Sequence, residues 1–334
     1  MKAAIVTAPG TSPIYGDFKE PVPHGGLELV TVTAAALSNL TKGRAAGTHY
    51  SADNQYPFVP GVDGVGTTAE GRRIYFAMPE APFGALAQQT LVDPRHTVAV
   101  PDLLDDVTAA AIANPGMSCG GALVERARFQ PGETVLINGA TGSSGTVAVQ
   151  VAKYLGARKV IVTGRNLAEL EKLRDFGADI VIPFDLRPEN PQGVRHFEQA
   201  LIAEFERGLD VVVDYLWGTS ARTIIVAVAR AVEDAHPVRF IQVGEASREP
   251  VELPAAALRS SAIQIMGSGL KSVAFPKLLE AIRQTFDIAA QGKLDLETTA
   301  VPLSTVGETW NAPGRPRLVY TLAQPLVAQI EGYV

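Results

Sequence analysis

Hydrophobic and polar positions along the chain change rhythm twice. From Met1 to about Ala113 the apolar residues come in short runs, at Lys2–Thr7, Leu27–Ala36, Gly64–Ala69 and Arg72–Phe76, with proline or glycine close to most of them and no long helical stripe before Thr108. Short runs bounded by breakers predict strands, and the region reads as an irregular β-barrel. From Asn114 to about Gly269 strand and helix patterns alternate. Strands are predicted at Thr134–Asn138, Lys159–Thr163, Ile180–Pro183, Asp210–Tyr215, Val238–Val243 and Ala262–Met266, and helices at Leu167–Phe176, Val194–Arg207 and Thr219–Ala231. Such alternation gives a parallel sheet covered by helices on both faces, an α/β architecture. Beyond Leu270 a helix is predicted at Lys277–Gln291, then strands near Thr298–Pro302 and Arg317–Leu322. Those strands return to the first domain, because a short β tail has no core of its own. The expected organisation is a barrel domain over 1–113, a parallel-sheet domain over 114–269 and a return segment over 270–334.

The segment from Thr134 to Asn166, TVLINGATGSSGTVAVQVAKYLGARKVIVTGRN, joins a strand, a glycine turn, a helix and a second strand. Gly139, Gly142 and Gly145 recur every third residue between the run Val135-Leu136-Ile137 and a helical stripe at Val147, Val151 and Leu155. Glycines there let the chain turn sharply, let amides approach a pyrophosphate, and let the helix pack closely on the sheet. A helix N-terminus then offers unpaired N–H groups and partial positive charge to the phosphates. The turn residues Gly139, Ala140, Thr141, Gly142, Ser143, Ser144 and Gly145 are thus candidate dinucleotide contacts. A glycine triplet alone means only a tight turn; the flanking strand and helix make it a nucleotide motif.

The end of the second strand selects the cofactor. An NAD site places a carboxylate there for the ribose 2′-hydroxyl, whereas an NADP site needs a cation. This chain has Thr163-Gly164-Arg165-Asn166. The planar guanidinium of Arg165 can pair with a 2′-phosphate, and Thr163 or Asn166 can add hydrogen bonds; the alternative is a solvated arginine ahead of the next helix. NADPH is the expected cofactor. Val243-Gly244 and Gly267-Ser268 also follow predicted strands, at the sheet end where open α/β folds bind ligands. Gly244 is otherwise a turn glycine.

Composition narrows the classes. At 334 residues, 46% apolar and with 31 glycines, the chain is long enough for two cores. No apolar run approaches the length of a bilayer span, and the N-terminus turns at Pro9-Gly10 before a signal core can form, so a cytoplasmic protein without a membrane partner is expected. A net charge of −6 without a basic run argues against nucleic acid. Cys119 is the single cysteine, which excludes an intrachain disulfide and a multi-cysteine zinc cluster. It reads as a small buried residue.

Over nearly its full length the chain resembles the medium-chain dehydrogenase/reductase superfamily, and within it the zinc-free quinone oxidoreductase branch. The carriers are QPGETVLINGATGSSGTVAVQVAKYLGA from Gln130, GRNLAELEKLRDFGAD from Gly164, FVPGVDGVG from Phe58 and VPLSTVGETW from Val301. The resemblance implies a GroES-like β-barrel catalytic domain built from both chain ends, an inserted Rossmann domain with a doubly wound parallel sheet, and an active site in the cleft between them. In zinc members a Cys, a His and a Cys hold the catalytic metal; the aligned positions here are Ser38, Val62 and Asn114. Val has no donor atom, so no catalytic metal is expected. The branch's ALNxxD pattern appears as Ala36-Leu37-Ser38-Asn39-Leu40-Thr41, with Thr41 where the family has Asp, and Asp63 stands for a longer acid after the Pro-Gly turn, where it is expected to orient backbone.

The resemblance implies reduction of quinones or α,β-unsaturated carbonyl compounds, whose conjugation stabilises the charge that hydride addition creates. Tyr50, in Gly47-Thr48-His49-Tyr50, matches a tyrosine that related enoyl reductases carry after the same glycine and that is implicated in proton donation. It is otherwise a loop residue covering the cleft. Ser38 and Asn114 would line the floor where zinc relatives hold metal, or be satisfied structural groups. His49 is a relay candidate or simply solvent-facing. The resemblance also implies that the apolar Ala262–Met266 edge, which would invite aggregation if exposed, pairs across a two-fold axis into a homodimer. Two other readings stay open: an NADPH-binding structural or regulatory protein like the family's crystallins, and a reductase of simple ketones or aldehydes.

Overall fold

The computed structural model describes residues 1–52, 55–313 and 316–322. The chain divides into two units, one formed by Met1–Ala111 with Glu297–Val334 and the other by Ile112–Leu296.

The first unit begins with β1 (Lys2–Ile5) and β2 (Ile14–Asp17), an antiparallel pair. There follow β3 (Glu28–Ala36), a short helix α1 (Asn39–Ala45), β4 (Asp63–Thr68), β5 (Arg73–Ala77), β6 (Gln89–Val92) and β7 (Thr97–Ala99). The strand β3 is central: it pairs antiparallel with β4 and with β6, and slips register between Val32 and Ala34. Gly66 lets β4 lie this close, since a Cβ there would sit 2.7 Å from the Val30 side chain. The helix α1 escapes a periodicity reading because its seven residues, NLTKGRA, carry a glycine and no apolar stripe.

The second unit opens inside a long helix. The helix α2 (Asp106–Gly120) runs on without interruption through a π-turn at Gly121–Arg126. By length and composition this helix, Asp106–Arg126 with mean hydropathy 1.2, is apolar enough to cross a bilayer, which corrects the expectation that nothing in the chain is. Its apolar character has another use here, because 72% of the most apolar window is buried inside the protein.

Six strands then alternate with helices: β8 (Thr134–Asn138), α3 (Ser143–Tyr154), β9 (Lys159–Gly164), α4 (Leu167–Lys172), β10 (Ile180–Pro183), α5 (Gly193–Phe205), β11 (Val211–Asp214), α6 (Gly218–Ala231), β12 (Pro237–Gln242), α7 (Ala255–Arg259) and β13 (Ala262–Gly267). All pair in parallel, in the order β10-β9-β8-β11-β12-β13. The first three strands run outward one way and the next three the other, a Rossmann sheet whose direction switches between β8 and β11. Leu136, Ile161, Val212 and Phe240 fill one of its faces, each fully buried.

The helix α8 (Phe275–Ala290) belongs to this unit. The expectation put the return to the first unit at Leu270, whereas the structure puts it at Glu297. Packing explains the difference: a Cβ on Gly120 would lie 2.5 Å from Ala281 Cβ, and one on Gly116 would overlap Thr285, so α8 presses directly on the α2 backbone. The chain then adds β14 (Thr298–Pro302), α9 (Val306–Thr309) and β15 (Arg317–Thr321) to the first unit. There β15 pairs antiparallel with β3, and Trp310 and Tyr320 join Val30, Val32, Phe76 and Leu86 in its core.

Candidate functional site

The glycine turn leaves β8 at Asn138. Gly139 has φ +82°, the left-handed region that glycine tolerates, and a Cβ there would also strike the Leu216 side chain at 2.8 Å. Gly145 serves close packing: its Cβ would lie 2.5 Å from Ala140 Cα. Gly142 is the N-cap of α3, and no side chain caps that helix end. The nearest atom to a Cβ on Gly142 would be 3.7 Å away, so the approach to the amides of Ser143 and Ser144 is open. An uncapped helix start with a bare approach is an anion receptor. Ala140 is fully buried and Thr141 half-buried beside it.

Beneath the turn lies a row of buried polar residues that the sequence reading missed. Strand register places Thr163 beside Asn138 and Asn138 beside Asp214, at the carboxyl ends of three adjacent strands. Thr163 Oγ1 donates to Asn138 Oδ1 at 2.7 Å, and Asn138 Nδ2 donates to Asp214 Oδ1 at 2.8 Å and Ser220 Oγ at 2.9 Å. The Leu216 and Trp217 amides donate to the same carboxylate. Main-chain bonds tie the row to the loops above: Gly139 and Ala140 donate to the Thr163 carbonyl, and Val243 and Gly244 to that of Asp214. The available signal was a polar residue closing each apolar run, in VLIN, VIVT and VVVD.

This corrects the reading of Thr163 as a cofactor contact. Its side chain is fully buried and spent on Asn138, so it shapes the turn from below. Burial pushes the Asp214 carboxyl up to about 6, against its hydrogen bonds, which pull it down.

The other cofactor candidates of this unit follow strands of the same sheet. Arg165 follows β9 and is exposed; Gly164, beneath it, is buried. Asn166 is the N-cap of α4, its side chain accepting from the Glu169 amide at 3.3 Å, which gives its oxygen a structural task. Gly244 is required by close approach, since a Cβ would meet the Tyr215 carbonyl at 2.8 Å. Gly267 ends β13 and accepts from Arg126 Nε at 2.8 Å, while the Ser268 amide donates to the Gln242 carbonyl. Asn114 is half-buried on α2, just before Pro115.

In the first unit Ser38 is the N-cap of α1. Its Oγ accepts from the Thr41 amide and donates to Thr41 Oγ1, both at 3.0 Å, so its proton is already committed. Tyr50 is 62% exposed, with its ring against His49 at a centroid distance of 4.2 Å. His49 Nδ1 in turn contacts Ser51 Oγ at 2.8 Å.

Asp63 is not a turn residue. It is buried in β4, where Oδ2 accepts from Tyr75 at 3.1 Å and Oδ1 has no hydrogen-bond partner. Burial lifts its carboxyl to about 6, partly offset by the buried Arg317 guanidinium, whose Nε and Nη2 also lack partners.

The metal positions implied by the resemblance do not fit zinc. Val62 offers no donor, and the Ser38 hydroxyl is held by its cap. Among the described residues no group of three His, Cys, Asp or Glu side chains is placed to hold an ion. Cys119 is fully buried, and desolvation raises its thiol to about 12, which leaves it inert as a nucleophile.

Comparison with known proteins adds a family likeness. A family model described as zinc-binding dehydrogenase matches residues 145–284. The Emericella nidulans protein named "Probable NADPH-dependent quinone reductase tdiC" is 27% identical, the match covering 93% of this chain and 96% of the relative. By these matches the chain is similar to the zinc-binding dehydrogenase family over 145–284 and to a quinone reductase over nearly its full length. A second relative, the chloroplastic NADPH-dependent alkenal/one oxidoreductase of Arabidopsis thaliana, is 30% identical over 47% of this chain and 44% of its own length. The solved structure of a mycobacterial quinone oxidoreductase superposes with a TM-score of 0.79 at 20% identity, covering 96% of this chain and 99% of that one. The GroES-like and Rossmann architecture of that structure is therefore the architecture of this chain.

Proposed function

We propose that this chain is an NADPH-dependent oxidoreductase that reduces quinones or α,β-unsaturated carbonyl compounds without catalytic zinc. The observation that carries the reading is the exposed Arg165 at the end of β9, where an NAD site would present a carboxylate. The open amides at Gly142, Ser143 and Ser144 suit the pyrophosphate, Arg165 the 2′-phosphate, and the loops at Val243-Gly244 and Gly267-Ser268 the nicotinamide half. Bound NADPH supplies a hydride. The names of the Emericella and Arabidopsis relatives support both the cofactor and the acceptor class.

The rest is the work of this chain's own side chains. With Val62 and a committed Ser38 at the metal positions, no Lewis acid polarises the acceptor, which favours substrates that spread the new charge by conjugation. Tyr50 is the proton donor in this reading: its exposed ring leaves the phenol accessible to an acceptor. Asn114, half-buried, is a hydrogen-bond donor to the acceptor oxygen, and Ser38 positions α1.

The functional form we propose is a homodimer, because β13 ends the sheet with its far side unpaired among the described residues. NADPH oxidation, followed by absorbance against quinones, 2-alkenals, enones and simple ketones with NADH in parallel, tests the reading. Turnover of the conjugated acceptors with NADPH is expected. Absence of turnover for all of them, with NADPH bound, sinks it. A monomer in light scattering removes the dimer.

A further inference from the structure

The first unit holds a cavity of about 330 Å³ whose chemistry is specific. Its walls include the rings of Tyr56, Phe58 and Phe83, with Val62 and Met78 adding apolar surface. Two cations, Lys19 and Arg44, line it as well, and no carboxylate stands among its described lining residues. Neither cation forms an ion pair with a described residue; Lys19 lies 5.6 Å over the Phe83 ring. Thr41 is the lining residue at the position where the resemblance would place an aspartate. The side-chain oxygen of Thr41 already accepts from Ser38, so its own proton is left to donate.

A flat aromatic body matches the ring-lined walls, and two cations with no carboxylate partner among the described residues call for negative charge. We infer that this pocket binds a planar aromatic acceptor carrying an anionic substituent, such as a carboxylate or an ionised ring hydroxyl. Arg44 pairs with the anion through its planar fork, Lys19 adds charge at the mouth, and the rings enclose the conjugated body. The inference deepens the reductase reading and rests on it for the word acceptor; the pocket's preference for anions stands on its own lining.

Two measurements separate the claims. The first is calorimetric binding of 2-naphthoate and its neutral isostere 2-naphthamide to the full chain. Naphthoate is expected to bind at least about tenfold tighter, as a charge-assisted pair does, with Arg44→Gln or Lys19→Gln bringing the two within about twofold of each other and leaving NADPH affinity unchanged. The exposed Lys19 keeps the test alive if Arg44→Gln fails to fold. Equal binding of the two probes, or a preference that survives both substitutions, overturns the pocket assignment.

The second compares NADPH-driven turnover of 4-carboxycinnamaldehyde with that of its methyl ester. A kcat/KM ratio of about ten or more in favour of the acid, lost in Arg44→Gln, supports the inference. Turnover of both at equal efficiency overturns it while sparing the reductase. Selective naphthoate binding without turnover of either aldehyde or of any quinone supports the pocket chemistry and sinks the reductase reading.

Discussion

Each unit buries an aspartate, and the two are treated in opposite ways. Beneath the glycine turn, Asp214 is bonded by Asn138 and by the Leu216 and Trp217 amides, and the row continues to Thr163 and Ser220. In the barrel unit, Asp63 keeps one bond, from Tyr75, and Oδ1 stays unpartnered near an Arg317 that itself lacks partners at two nitrogens. Both carboxyls are pushed up to about 6 by burial. Equal titration therefore conceals unequal architecture. A satisfied network fixes the loops around it, whereas an incompletely paired one carries a desolvation cost that its contacts do not return.

The comparison breaks most visibly at Asp214. Asp214→Ala strips an acceptor from three donors at once and is expected to lower the unfolding free energy by roughly 3 kcal/mol or more, with NADPH binding lost as the turn loosens. Urea unfolding and cofactor titration read both, and a loss below about 1 kcal/mol contradicts the account of the row. Arg165→Gln touches no part of the network. It should weaken NADPH by about ten- to a hundredfold while leaving NADH and the melting temperature unchanged. A parallel loss of NADH affinity assigns Arg165 to the fold instead.

Thr163→Val keeps the shape of the row and removes one hydroxyl. The Asn138 oxygen loses its side-chain donor, which costs about 1 to 2 kcal/mol; a direct loss of NADPH affinity at unchanged stability would return Thr163 to the cofactor contacts.

Smallest and most diagnostic is Asp63→Asn, through its pH dependence. A carboxyl whose folded pKa is raised holds a proton in the native state that the unfolded chain has released. Its contribution is fully present below the unfolded value near 4 and is lost as pH rises through about 6. Asp63→Asn cannot release that proton. Its stability relative to the parent should therefore rise between about pH 4 and pH 6 and stay level above. A flat difference across that window means that Asp63 is fully compensated by Arg317.

The parallel-sheet unit was the more legible of the two. Its six strands alternate with helices at local spacing, and each apolar run, such as Val135-Leu136-Ile137, is bounded by turn residues. The glycine turn and Arg165 were readable because φ, close approach and charge act within a few residues of one another. In the barrel unit β2, β6 and β7 have only three or four residues each, too few for a period to register, and pairing with distant strands makes them. Thr163 and Asp63 were misread for one reason: a polar residue at the end of a run looks like a ligand contact or a turn until its partner is known.

The sequence alone determined the doubly wound sheet, the glycine turn ahead of α3 and the cation after β9. All follow from local backbone preference and side-chain type. Only the tertiary structure decided how buried polar groups pair. Asn138 meets Asp214 across 76 residues through strand register, and Asp63 shares its interior with Arg317 of a strand near the other end of the chain. The packing of the first unit likewise decided that Lys19 and Arg44 line one cavity with the Phe83 ring. Such pairings depend on register and closure across the whole fold, and no window of neighbouring residues carries that information.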